Sequence, residues 1–267
     1  MAFFRHLLKH PFGNRPGQYL LSKQVKLCHW LMGIGAGTSV EDSGEVAVIK
    51  KLISENRRDL VVLDVGANMG QFLNLTVSRL GDRLREIHSF EPAATTFQTL
   101  AQNALKHDGV RLNHLGLSRA AGTAQLYYDK ENSGLASLTK RDLAFRNISF
   151  ERQESIQLST ADAYCAEHGI SHVNWLKMDV EGHELDVLHG ASALFGRNAV
   201  DLVTFEFGGC NIDTRTYLRD FYQFFEAQGM QLYRITPSGY FHPVSRYRET
   251  EEQFTTVNYV AFRRPAV

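Results

Sequence analysis

The stretch Leu60-Val61-Val62-Leu63-Asp64-Val65-Gly66-Ala67-Asn68-Met69-Gly70, followed by Phe72 and Leu75, reads as a buried strand turning through a glycine-rich loop into a helix. Such a junction aims the unpaired N–H groups of the helix's first turn at whatever sits above the strand's carboxyl end, and glycines let a ligand approach the backbone without meeting a Cβ. A nucleotide-type cofactor is one reading and an ordinary Asp-x-Gly turn the other. The dinucleotide fingerprint G-x-G-x-x-G needs a second glycine, to admit a pyrophosphate, where this chain has Asn68. Asp64 at the loop's mouth suits a cationic ligand better than a phosphate. S-adenosylmethionine, with a sulfonium, an ammonium and no phosphate, meets both conditions.

Downstream, Ile87-His88-Ser89-Phe90 is a short strand-like run ending in Glu91-Pro92, after which Phe97, Leu100, Ala104 and Leu105 recur at helical spacing. Glu91 therefore sits at the tip of a second strand, 25 residues after Gly66, close to the usual βαβ interval of about 20. A carboxylate there can accept hydrogen bonds from both ribose hydroxyls of a nucleoside; the plainer alternative is that it favours the following helix's N-terminus.

Val173-Asn174-Trp175-Leu176-Lys177-Met178-Asp179-Val180-Glu181-Gly182-His183-Glu184 runs from another strand into a helix with Leu185, Leu188 and Leu194 at helical spacing. As the fourth strand of a doubly wound sheet it neighbours the first, so Asp179, Glu181 and His183 overhang the crevice that holds Gly66 and Glu91. Any of the three can take the proton from an attacking hydroxyl; equally, Glu181 and Glu184 decorate a helix N-terminus and His183 is a surface residue. Asp179, Glu181 and Glu206 sharing a divalent cation is a weaker reading, because their spacing is no metal signature.

V-L-D-V-G-A-N-M-G at 62–70, S-F-E-P at 89–92 and L-K-M-D-V-E-G-H-E-L-D-V-L-H-G-A at 176–191 resemble, in order and spacing, the three signature blocks of the FkbM-type methyltransferase family. Shorter echoes lie in Leu117-Ser118 with Gly122, in Ala136-Ser137-Leu138 and in Ser159-Thr160-Ala161-Asp162. The resemblance implies a class I S-adenosylmethionine-dependent methyltransferase, a Rossmann-like three-layer α/β sandwich, usually acting on oxygen, with sugars, glycolipids and natural products among its acceptors. By position, it places Asp64, Gly66, Asn68 and Gly70 around the methionine half, Glu91 at the ribose and Ser118 in the cofactor site. Asp179 counts with both cofactor and catalysis, beside Glu181 and His183 at the transfer site. Residues 1–45 and the tail after Phe207 match nothing in that pattern.

With 267 residues, 43% hydrophobic and 22% charged, the chain can bury one large α/β core, and residues 46–267 are expected to form it. A formal net charge of zero gives no field that would draw it onto nucleic acid. Three scattered cysteines, Cys28, Cys165 and Cys210, form neither a disulfide framework nor a zinc-ligand spacing, which fits a reducing cytoplasm. Residues 1–45 form a basic, apolar-rich extension. No Asp or Glu precedes Glu41, while Arg5, Lys9, Arg15, Lys23 and Lys26 mix with Tyr19, Leu20, Leu27, Trp30, Leu31 and other apolar residues. Prolines and basic residues break any signal-peptide run, and the stretch makes no convincing membrane span. Two roles stay open: helices closing over the crevice, or a peripheral contact with anionic lipid.

The remaining pattern predicts a third strand at 110–115, a hairpin over 117–128, an irregular insertion over 129–152, a fifth strand at 200–205, a helix at 217–225 and two closing strands at 231–235 and 255–262. The short connector between the last two makes them antiparallel, so a seven-stranded, mostly parallel sheet with an antiparallel last strand is expected. The function expected is in-line methyl transfer to a hydroxyl of a small-molecule or glycan acceptor. An Asn/Asp-Pro-Pro-aromatic amine pocket is absent from the fourth strand's end. A dehydrogenase or a catalytically silent nucleoside-binding module on the same architecture remains the alternative.

Overall fold

A computed structural model describes residues 9, 11–35 and 44–264, so parts of the N-terminal extension, residues 1–8, 10 and 36–43, lie outside the described residues. The strands are β1 (Leu60–Val65), β2 (Leu84–Phe90), β3 (Val110–Asn113), β4 (Gly116–Leu117), β5 (Gly122–Tyr128), β6 (Arg152–Ser159), β7 (Val173–Met178), β8 (Val200–Phe207), β9 (Met230–Ile235), β10 (Phe241–Pro243) and β11 (Val257–Arg263). The helices are α1 (Arg15–Met32), α2 (Glu45–Ser54), α3 (Gln71–Leu80), α4 (Ala94–Asn103), α5 (Ala161–Glu167), α6 (Glu184–His189), α7 (Ser192–Gly196), α8 (Cys210–Thr214) and α9 (Leu218–Ala227).

β1 is apolar at nearly every position because both of its faces are covered. Val61, Leu63 and Val65 join one core with Tyr164, Leu188, Phe195, Phe221 and Phe225. Leu60 and Val62 join the other with Ile49, Leu52, Phe72, Leu73 and Val77. Alternation with period two thus sends successive side chains to opposite layers, and each fully buried one contributes about 1.5–3 kcal/mol. Trp175, at the centre of β7, meets Phe72 edge-on at 4.9 Å and donates its indole N–H to Thr204 Oγ1 at 2.9 Å.

The main sheet has the order β10-β9-β11-β8-β7-β1-β2-β3. β3, β2, β1, β7 and β8 run parallel, and β11 is antiparallel to both β8 and β9. Seven of these strands form the expected pattern. The short β10, antiparallel to β9, adds an eighth strand at the edge. The predicted 117–128 hairpin does not form: β4 and β5 both pair with β6, in a separate sheet of order β4-β6-β5. The helix expected after His183 is broken into α6 and α7, and at the break Gly190 packs so closely that a Cβ there would lie 2.1 Å from the Ser118 carbonyl.

Register places the site. Val65 pairs with Phe90 on one side and with Met178 on the other. The next residues of the three strands, Gly66, Glu91 and Asp179, therefore leave the sheet at one level, at the switch point where chain connections diverge to either side of β1. α1 buries none of its residues and does not close over that crevice.

Candidate active site

The glycine loop is built around one close approach. Gly66 has φ +79° and a Cβ there would lie 1.9 Å from the Asp179 carbonyl oxygen, so the first and fourth strands meet only because residue 66 lacks a side chain. Asn68 also adopts a left-handed conformation, φ +48°, which Asn tolerates better than most residues. Gly70, φ +91°, caps α3.

Asp64 does not line the crevice. Its carboxylate is wholly buried, accepts the Ser89 hydroxyl at 3.0 Å and pairs with Lys177 Nζ at 3.2 Å. Lys177 also donates to the Gly66 carbonyl at 3.0 Å, so the pair is a strut beneath the loop. Burial raises the Asp64 pKa and Lys177 opposes it. For Lys177 burial works against the charge, yet Asp64, Asp179 and Glu45 outweigh it and the ammonium is held charged.

Above the strut lies a crevice that opens to solvent. Gly66, Asn68, Glu91, Asp179, Glu181 and His183 all line it. Asp64, Gly70 and Ser118 do not; Leu117 lines it in place of Ser118. One wall, with Pro92, Leu117, Leu126, Leu138, Ile156 and Leu158, is apolar, and among the described residues the lining contains three carboxylates and no Lys or Arg.

Glu91 is held rigidly. Oε2 accepts the Asn68 N–H at 3.0 Å and Oε1 the Ala93 N–H at 2.9 Å, leaving further lone pairs toward the crevice. Burial nevertheless pushes its pKa up to about 7. The same loop carries a buried Asn68 Oδ1 with no hydrogen-bond partner.

Beyond β7 the chain turns through Glu181, φ +51°, and Gly182, φ +100°. Glu184 Oε1 staples this turn by accepting the N–H groups of Val180 and Gly182 at 3.0 and 3.2 Å. Glu184 is thus structural. Asp179 is exposed at the crevice. Burial, reinforced by Asp179, pushes Glu181 up to about 8 even though Arg141 Nη1 bonds its carboxylate. Burial raises Glu206 as well, with Asp179 and Glu181 adding to it. His183 Nδ1 lies 3.0 Å from Asp186 Oδ2, and Nε2 lies 3.0 Å from Thr139 Oγ1. An ionised carboxylate only accepts, so Nδ1 carries a proton, and in the neutral ring Nε2 accepts from Thr139.

The insertion between β5 and β6 forms the roof. Ser133, Gly134, Ala136, Ser137 and Leu138 line the crevice, and Ser137 Oγ donates to the Glu181 carbonyl at 2.9 Å. Arg141, nearly buried, reaches from this insertion to Glu181 and, through Nε at 3.2 Å, to Asp213. Sequence patterning gave no signal for Arg141, Thr139 or Asp186. The only local hint for Asp186 is its spacing of three residues from His183 on a helical turn.

Residues 64–232 match the model of the Methyltransferase FkbM domain. The chain belongs to the FkbM methyltransferase family. Its main sheet, five parallel strands flanked by an antiparallel β11, is the class I methyltransferase arrangement. The chain is 29% identical over 163 residues to the hexuronic acid methyltransferase AglP of Haloferax volcanii, covering 61% of this chain and 60% of that one. It is 25% identical over 185 residues to the 2-O-methyltransferase NoeI of Sinorhizobium fredii, covering 64% and 72%. The crystal structure of an FkbM methyltransferase from Methylobacillus flagellatus superposes with a TM-score of 0.46 at 15% identity, over 76% of this chain and 43% of that one. The chain spans about three-fifths of the length of the first of these relatives.

Proposed function

We propose that the protein binds S-adenosylmethionine in the crevice and transfers its methyl group to a hydroxyl of a sugar or glycan-like acceptor. The observation carrying this reading is that one crevice gathers the glycine loop, the doubly anchored Glu91 and, level with them, Asp179 and the His183–Asp186 pair. The groups present fit the cofactor. Glu91 offers lone pairs to two ribose hydroxyls, the orphaned Asn68 Oδ1 suits an ammonium, and the apolar wall suits a purine. A pyrophosphate would meet three carboxylates and no lining cation, which weighs against a dehydrogenase. Relatives described as a hexuronic acid methyltransferase and a 2-O-methyltransferase favour a carbohydrate hydroxyl.

The bound cofactor supplies an electrophilic methyl carbon. The protein's part is to hold the acceptor oxygen in line with it, exclude water beneath the roof, and remove the hydroxyl proton. His183 is the best-placed base: Asp186 fixes the tautomer that leaves Nε2 unprotonated, and an acceptor hydroxyl replaces Thr139 as its donor. Asp179, exposed at the crevice, orients that hydroxyl, while Arg141 fixes Glu181 beside it. The test is isothermal titration with S-adenosylhomocysteine and with NAD, followed by labelled-methyl transfer to uronic acid glycosides, neutral oligosaccharides and glycolipids. Binding of NAD in preference to S-adenosylhomocysteine, or cofactor binding without transfer to any hydroxyl acceptor, overturns the reading.

A further inference from the structure

The N-terminal helix is out of place in a water-soluble surface. α1 is 18 residues long, is capped at its start by Asn14 Oδ1 accepting the Gly17 N–H and at its end by Gly33, yet buries no residue against the rest of the chain. Leu20, Leu27 and Leu31 form one row along it and are 53, 58 and 59% exposed. Leu21, Val25, Cys28 and Met32 form the adjacent row. Arg15, Gln18, Ser22, Lys26 and His29 make a polar stripe on the opposite side, and Tyr19, Lys23 and Trp30 follow one boundary between the faces. The Lys23 ammonium lies 5.3 Å from the centre of the Tyr19 ring.

We propose that α1 lies flat on an anionic lipid bilayer, with its leucine rows among the acyl chains and its cations at the headgroups. Charge decides for lipid over a second copy. Residues 1–40 hold no acid, so a second copy of the helix offers its cations no partner, whereas an anionic surface complements them. Tyr19 and Trp30 at the face boundary have the apolar body and polar tip that suit the headgroup level. The helix rests on the membrane and does not cross it: among the described residues, none is long and apolar enough to span.

The attachment point gives the contact a direction. Just after α1, Ile34 bridges to Val257 and the Gly35 N–H donates to the Thr256 carbonyl at 2.7 Å. Val257 pairs with Phe207, the last residue of β8, so the helix joins the body at the carboxyl edge of the parallel strands. That is the edge on which the crevice opens. The proposed contact is therefore tethered to that edge through the Ile34–Val257 junction, whatever the acceptor is.

The experiment floats the full chain on vesicles of phosphatidylcholine with and without phosphatidylglycerol. Binding to the anionic vesicles only, weakened by salt, is expected. Each cation near such a surface is worth about fivefold, so Lys23→Gln with Lys26→Gln should weaken partitioning about 25-fold, and Leu27→Glu with Leu31→Glu should abolish it. Because α1 buries nothing, all variants should keep the wild-type thermal midpoint and S-adenosylhomocysteine affinity, which separates this result from any failure of the functional reading. Brominated lipid should quench Trp30 and leave the buried Trp175 untouched. No flotation, equal flotation on neutral vesicles, or a dimer in sedimentation equilibrium that the leucine substitutions dissociate overturns the proposal.

Discussion

Glu91 couples cofactor binding to a proton, and the size of that coupling follows from its surroundings. Burial pushes its carboxyl up to about 7 in the free protein, despite the N–H groups of Asn68 and Ala93 that favour the charged form. Two ribose hydroxyls donating to the ionised form would return the pKa toward its ordinary value, so binding should expel a proton between about pH 4.5 and about pH 7. The dependence works out to affinity rising about tenfold from pH 6 to pH 8, with about 0.9 proton released per ligand at pH 6 and about 0.1 at pH 8. For stability the sign is opposite. With the folded pKa above the unfolded one, Glu91 costs the free protein increasing stability as pH rises from about 4.5 through about 7, at most about 3 kcal/mol. Titration of S-adenosylhomocysteine in buffers of different ionisation enthalpy counts the protons directly. Glu45 and Glu181, pushed up to about 7 and about 8, titrate in the same range, so Glu91→Gln is the necessary control: weaker binding with a flat pH profile. Equal proton release by wild type and Glu91→Gln would refute the ribose assignment.

Three further outcomes are expected. His183→Gln should lower turnover on the true acceptor about 100-fold and Asp186→Asn about 10-fold, with S-adenosylhomocysteine affinity unchanged in both; retained turnover would move proton removal to another group. Gly66→Ala should cost about 3 kcal/mol or more by thermal melting and abolish cofactor binding. Gly229→Ala, also at positive φ (+66°) but with nothing within 4 Å of its added Cβ, should cost only about 1–2 kcal/mol. Arg141→Ala removes the cation shared by Glu181 and Asp213 and should destabilise by about 3 kcal/mol, partly recovered by Arg141→Lys.

The crevice was legible in the sequence because its first shell comes from three short blocks whose strands and loops are local. Gly66, Asn68, Glu91, Asp179, Glu181 and His183 each stand at or just past a strand's end, and parallel register alone brings those ends level. What escaped depends on partners far away in the chain. Asp64 reads as a ligand contact until Lys177, on the neighbouring strand, is seen to occupy it. β6 shows little pattern because only Ile156 within it is fully buried; its pairing with β4 and β5, not a buried face, makes it a strand. Arg141 lies in an irregular segment where no periodicity marks a residue as inward-facing. α1 had the composition of either a cover or a membrane contact, and only the structure shows that it buries none of its own residues.

The roof over the crevice begins and ends on directly opposed residues, since Tyr128, the last of β5, pairs with Arg152, the first of β6. The insertion is therefore the tip of an oversized hairpin whose base is clamped by seven cross-strand pairs, and neither the main sheet nor the glycine loop passes through it. Every contact this insertion makes with the β7 turn, Ser137 with the Glu181 carbonyl, Thr139 with His183 and Arg141 with Glu181, thus comes from one continuous piece of chain whose two ends are held at a fixed separation.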